Sequence, residues 1–490
     1  MLPINPSDFP CRKIADLRGV TRRELLSQMG YGTGAAALAS LLGTQASAGP
    51  VLADGTTLPH FAPKAKRVIC LFMSGGMSHL ESFDHKPLLT QRHGEPLPDS
   101  VFKGRAPLGM SQFQNKFSVQ GSRYDFQQHG KAGAWISDRF PYLAKQADKI
   151  CFLKGMVSEA VNHDPAIIFM NSGHQLAGRP TMGSWLSYGL GSENENLPAY
   201  IVMVTKRGAD QPLSSRLWDS GFLPSQHQGV PFRPGNEPVL FLHNPEGLSD
   251  TLHKRMVDQL IEVQQEELRL RGEAEISARI KQLEMAFRMQ TAVPEVTDVS
   301  EESKATLERY GKSVKRPGSF ARNCLIARKL CEKGVRFIQL FHPGWDHHMG
   351  MDTRFTKVSS DVDQPSAALL QDLDERGLLQ ETLVMFVTEF GRTPYSQGAV
   401  SSGKGDYGRE HHRDAFSFWV AGGGIKPGMS YGETDDFGFD VVDGKVTAND
   451  FHATLLHQLG IDHERFTYRF QGRDYRLTNV AGTVVKPILA

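Results

Sequence analysis

Cysteine is scarce, with five in 490 residues, and no two of them stand in a Cys-x-x-Cys spacing. A disulfide framework is therefore not expected. Cys70 and Cys151 lie in apolar, strand-like runs, while Cys324 and Cys331 fall seven apart on one face of a helical pattern. All four read as packing residues. A charge imbalance is also missing. A formal net charge of +1 gives no reason to expect nucleic acid or an anionic membrane surface as a partner. No run approaches the roughly 20 apolar residues that a membrane span needs, so no span is expected in the mature chain. At 40% hydrophobic and 22% charged, the composition is that of a globular protein and excludes a disordered one. The length suits one large domain or two fused ones, and no internal repeat is present.

What is there begins with paired arginines. "TRRELLSQMGYGTGAAALASLLGTQASA" carries Arg22 and Arg23, a weakly apolar Gly/Ala/Leu stretch and a small-x-small site at Ala46–Ala48. Together these describe a twin-arginine export signal over residues 1–48, leading to the periplasm or beyond. An amphipathic helix, or a signal retained as a membrane anchor, is the alternative. Cys11 would leave with the signal. Residues 49–66 read as an extended lead-in and 67–490 as the folded domain.

Within that domain, short apolar runs read as buried strands: "RVICLFMS", "ICFLKGMV", "AYIVMVT", "VRFIQLF", "TLVMFVT" and "FSFWVAG". Helical patterns lie between them, one opening near Pro165, one ending at Gly334, one over about 358–376 and one stopping at Gly460. Near-continuous apolar strands alternating with helices predict an α/β fold with a mostly parallel sheet covered on both faces. Residues 250–292 form a charged helix or helix pair, with apolar positions three and four apart, inside a helical insertion at about 250–315. A dimerising coiled coil is the lesser alternative, because the apolar heptad is not sustained. "TAVPEVTDVSEE" reads as a linker.

In sheets of this kind, sites gather at the carboxyl ends of strands. "SGGMSHLESFDHKP" follows the first strand. It brings two turn-forming glycines and then Ser74, Ser78, His79, Glu81 and Asp84, or else a solvated polar loop. His163 and Asp164 stand at a helix start, where free N–H groups suit an anion, although Asp164 is equally a plain N-cap. In "GWDHH", Asp346 and His348 share a face only in an extended segment. Acid plus imidazole suits zinc, manganese or iron, and a wet loop rich in histidine is the alternative. "TEFGRTP" and "GREHHRDAF" add Glu389, Arg392, His411 and His412 on the same rim. Acids and histidines at three strand ends suit two metals, or one metal with an anion clamp.

These blocks, in order, resemble the alkaline-phosphatase and sulfatase superfamily. The chain is more closely similar to the exported "domain of unknown function 1501" family, through "MSGGMSHLESFDHKP", "EMAFRMQ", "FARNCLIARKLCEKGVRFIQLFHPGWDHH", "VTEFGRTP", "GREHHRDAF", "AGGGIKPGMSYGETDDFG" and "DFHATLLHQLGI". The resemblance implies a sulfatase-like α/β sandwich. Against the sulfatase Cys-x-Pro-Ser-Arg signature, "HDPAI" keeps Pro165 but has His163 at the cysteine and Ile167 at the arginine. "SGG" replaces the paired aspartates, and "TEFG" keeps an acid at Glu389 but puts Phe390 at the next ligand. Formylglycine chemistry is therefore not expected.

What the resemblance does imply is a divalent metal (zinc, manganese or calcium) on Asp346, His348, Glu389, His411 or His412, and Asp84. Arg392 would hold an oxyanion, and His79 or His163 would act as general acid or nucleophile, with Ser74 and Ser78 as fallback nucleophiles. The substrate would be a phosphate or sulfate ester, small or polysaccharide. A cytochrome-like protein is the partner that the family's setting implies. A non-catalytic binding or assembly protein on a degenerate sulfatase scaffold is the alternative.

Overall fold

The computed structural model describes residues 57–205, 213–235, 238, 239, 242, 244, 247–397 and 407–490. The twin-arginine stretch with Arg22 and Arg23 lies outside the described residues, as does Cys11. The central sheet has nine strands: β1 Arg67–Ser74, β2 Ile150–Val157, β3 Tyr200–Val204, β4 Val230–Phe232, β5 Phe337–Pro343, β6 Thr382–Val387, β7 Phe416–Ala421, β8 Met429–Tyr431 and β9 Val446–Thr447. Their spatial order is β8-β2-β7-β6-β1-β5-β3-β4, and β9 also pairs with β2. Strands β6, β1, β5, β3 and β4 run parallel. Strand β7 is antiparallel to both β6 and β2, so β2 points the same way as β6.

The apolar runs are continuous because both faces of the sheet are covered. Along β1, Ile69, Leu71 and Met73 join one buried cluster, while Val68, Cys70 and Phe72 join another on the opposite face. The first face is covered by α5 (Phe320–Glu332) and α6 (Met351–Glu375), and the second by α1 (His163–Ser172), α2 (Met182–Leu190) and α7 (Ala448–Gln458). Helix α7 begins at a capping box, in which Thr447 and Asp450 satisfy each other's backbone N–H groups. All four described cysteines are buried and unpaired. Burial pushes their thiols up, Cys151 to about 12.

The charged segment is a helix pair, α3 (Asp250–Arg271) and α4 (Ala274–Thr297), broken at Gly272 in the left-handed conformation. The expected linker "TAVPEVT" is instead the end of α4, which runs through Pro294. Burial overrides the proline there. Val293 and Val296 are 0% and 1% exposed, and the Thr297 hydroxyl donates to the Val293 carbonyl at 2.8 Å. Among the described residues, no helix is long and apolar enough to cross a membrane.

His79 and His452 are fully buried, each with Nε2 against a backbone carbonyl, that of Gly438 (3.0 Å) and Met170 (2.9 Å) respectively. Burial pulls both rings down to about 4. A histidine depressed in this way contributes stability that is present above its unfolded value and lost as pH falls through its folded one. The urea midpoint is therefore expected to fall between about pH 6.5 and 4, with each ring contributing at most about 3 kcal/mol. His452→Gln should flatten that fall by its share. A midpoint independent of pH over this window would show that the rings are not held neutral.

Candidate metal centre

Three parallel neighbours deliver the site. Strand β1 ends at Ser74 and turns through Gly75–Gly76, β5 ends at Pro343 and leads into Gly344–His348, and β6 leads into Thr388–Glu389. Strand β2 exits at the same edge, and residues 158–162 carry the chain to His163 at the start of α1. Beyond β6 the chain forms a two-stranded ribbon, Gly391–Ser396 against Arg409–His412.

Asp346 and His348 do share a face. After β5 the chain turns at Gly344 (φ +107°), and beyond it Trp345 and His347 turn inward, 0% and 1% exposed, while Asp346 and His348 turn outward and meet each other. Across the ribbon, His411 lies opposite Arg392. His163, Asp346, His348 and His411 thereby offer ligand atoms that all lie within 4.8 Å of one another. Three imidazole Nε2 atoms converge on one carboxylate. His348 and His411 meet Asp346 Oδ1 at 2.9 and 3.3 Å, and His163 meets Oδ2 at 3.3 Å.

The far side of each ring is anchored. His163 Nδ1 faces Glu389 Oε1 at 2.8 Å, His411 Nδ1 faces the Val161 carbonyl at 2.8 Å, and His348 Nδ1 faces Gln397 Oε1. All three partners are acceptors, so each Nδ1 carries a proton, and Nε2 of a ring in its neutral form presents a lone pair. Three lone pairs aimed at an anion repel it unless a proton or a cation lies between. His163 Nε2 is accordingly a buried atom without a hydrogen-bond partner. Nδ1 held by a carboxylate or carbonyl and Nε2 free is the arrangement that orients metal-ligating histidines.

Without an ion, protons and Arg392 carry the balance. Burial pushes His163 down, but the Asp346 and Glu389 carboxylates against its two ring nitrogens outweigh that and raise it to about 9. Burial also raises the Asp346 carboxyl, yet the three histidines and the Arg392 charge around it hold it far below the usual carboxylate range. Burial, helped by Arg392, lowers His411 to about 3.

Several expected site residues lie elsewhere or act indirectly. Arg392 is 0% exposed. It donates to the carbonyls of Gly75, Gly76 (2.8 Å) and Arg409 (3.0 Å) and to Asp346 Oδ1 (2.7 Å), so it fixes the ligand carboxylate from below and is not free to clamp an oxyanion. Glu389 is equally buried and sits behind His163, also accepting the Gly75 N–H at 2.8 Å. His412, next along its strand from His411, points the other way and stacks on Phe439 at 4.4 Å. His79 is sealed against Gly438. Asp84 accepts from Thr434 and pairs with Lys86 at 3.4 Å. The Ser78 hydroxyl donates to Glu81, and Ser74 is fully buried. Asp164 does not cap α1 but pairs with Arg216.

Three supporting residues were not anticipated. Gln397 steers His348. Glu410, 1% exposed, accepts the N–H groups of His411 and Met110, both at 2.8 Å. The Phe390 ring touches His163 and His411, with centroids 4.9 and 4.6 Å apart. A cavity of about 260 Å³ opens beside His411, walled by Leu108, Tyr395 and Phe439. Larger cavities of about 530 and 560 Å³ lie along α4 and share no residue with the cluster.

The glycines after β1 serve this packing. Gly75 has φ +122°, and a Cβ there would stand 2.6 Å from the Asp346 nitrogen. Gly75→Ala is expected to displace Asp346 and abolish metal uptake. Glu389→Gln should weaken zinc binding by roughly ten- to a hundredfold through His163. Calorimetric titration of the metal-stripped chain measures both, and unchanged affinity in either variant would refute the supporting role assigned to that residue.

Solved structures similar to this chain include Ps i-CgsB in complex with k-i-k-neocarrahexaose, at 10% identity over 81% of this chain and 72% of that one, TM-score 0.34. The PsFucS1 sulfatase from Pseudoalteromonas sp. gives 13% identity over 87% and 72%, TM-score 0.34. A TAB5 alkaline phosphatase variant with Mg bound gives 10% over 81% and 98%, TM-score 0.34. Likeness at this level assigns no activity. No curated protein matches the sequence. Residues 65–489 match the family described as protein of unknown function (DUF1501), and the chain belongs to that family.

Proposed function

We propose that this chain is an exported, metal-dependent hydrolase of phosphate or sulfate esters, whose centre is built from His163, Asp346, His348 and His411. One observation carries the proposal: three Nε2 atoms meet one carboxylate, with every Nδ1 already engaged. The ester class rests on the sequence resemblance, and the export route on the paired arginines and small-x-small site of residues 1–48.

The donor set favours zinc or manganese over calcium, which takes oxygen ligands. A bound ion would supply a Lewis acid and a water of lowered pKa. The chain's own residues do the positioning. Glu389, Gln397 and the Val161 carbonyl hold the three rings in register, and Arg392 holds the carboxylate. Among the described candidates, no serine hydroxyl is free to attack, since Ser74 is buried and Ser78 is bonded to Glu81. Water is therefore the nucleophile in this reading, and the cavity beside His411 is where an ester would enter.

The same donor set supports one second reading. Four protein ligands close a tetrahedral zinc site, and closed sites are structural. Only an ion that accepts a fifth ligand leaves room for water. A closed site would suit a binding or assembly protein on this scaffold.

Metal analysis of the purified full chain is expected to find about one transition metal per chain, lost in Asp346→Asn and His411→Ala. Turnover of nitrophenyl phosphate, phosphodiester or sulfate should fall at least a hundredfold in both variants. Bound metal with no ester turnover would overturn the hydrolase reading and leave the structural one. No bound metal would overturn both.

A further inference from the structure

Helix α3 carries an apolar stripe that no other described residue buries. None of its residues is buried, and Leu252, Met256, Leu260, Val263 and Leu270 are 48, 47, 52, 62 and 76% exposed. They make up five of the thirteen exposed large hydrophobics among the described residues, so the exposure is concentrated here and not scattered. At about 100° per residue, the five fall within an arc of about 80°. The stripe is not the face that packs on α4. Val257, Ile261 and Leu268 are half-buried on the side of His253, whose ring meets Phe287 of α4 at 5.8 Å. The helix therefore has two adjacent apolar stripes, one used and one bare.

The bare stripe is complementary to itself in the reverse direction. Leu252 matches Leu270, Met256 matches Val263, and Leu260 matches Leu260, each pair centred within about one residue of Leu260. Arg255 and Glu266 are exposed on the same flank of the stripe and match about the same centre. In an antiparallel pair related by a two-fold axis, like flank meets like flank, so residue i of one copy meets residue j of the other and j meets i. Arg255 of each copy would then face Glu266 of the other, giving two ion pairs beside a continuous apolar seam. Glu266 now meets Arg269 of its own helix, a pair 54 and 71% exposed that holds it only loosely. A parallel two-fold pairing would set this flank against the opposite flank of the partner and would bring no Arg255 to a Glu266.

We infer that the bare face of α3 is an isologous interface through which two copies of this chain pair antiparallel about Leu260, their helix hairpins forming a four-helix bundle. The proposed site lies on other elements, so this assembly stands or falls independently of it.

Sedimentation velocity of the full chain is expected to show a dimer at micromolar concentration. Leu260→Glu should give a monomer with unchanged metal content, because two carboxylates would meet on the axis. R255E alone should weaken association about tenfold, and R255E/E266R should restore it. Orientation is read by cross-linking against the unmodified chain. L260C should link to itself, L252C should not, and a mixture of L252C and L270C should link. A monomeric wild-type chain at tens of micromolar, self-linking of L252C, a dimer unaffected by L260E, or binding to phosphatidylglycerol vesicles without self-association would each overturn the inference.

Discussion

Asp346 organises the sheet edge at which the four candidate ligand residues meet. One carboxylate faces three imidazoles and a guanidinium, and each partner arrives on a different segment: α1, the loop after β5, and the two strands of the ribbon. Without Arg392 beneath it, the carboxylate would have no fixed position. Without the anchored Nδ1 atoms, the rings would have no fixed tautomer. The strands determine which residues can meet, and this small set of contacts determines the angle at which they do.

A second layer holds the ribbon in place. Arg409 is fully buried and donates to both Glu81 oxygens, and to the carbonyls of Thr393 (3.0 Å) and Gln120 (2.9 Å). A buried ion pair offsets its desolvation only when its remaining hydrogen-bonding capacity is satisfied, as it is here. The loop after β1 thus clamps the strand that carries His411, which accounts for the burial of Glu81 and of Ser78, whose hydroxyl donates to it.

Much of this architecture was legible in the sequence. The apolar runs of β1, β5, β6 and β7 announce strands covered on both sides, and the strand-end rule points to the edge where His163, Asp346, His348 and His411 meet. Asp346 and His348 were identifiable from their spacing, and His411 from its neighbourhood. What was not legible is direction. Whether His411 or His412 faces inward depends on ribbon register, which includes a bulge between Arg409 and His411. Arg392 looked like an anion clamp because sequence does not reveal how many carbonyls surround a guanidinium. Gln397 and Glu410 gave no signal, since their roles come only from packing across the ribbon. Pro294 suggested a break, but the burial of its neighbours outweighed the lost hydrogen bond.

The thiols bear on where such a fold can exist. Four sulfurs sealed in apolar surroundings, each with its ionisation suppressed, neither exchange nor oxidise readily. No covalent crosslink among the described residues waits to be made or broken. A reducing compartment therefore finds no disulfide to break, and an oxidising one no exposed thiol to pair, among the described residues.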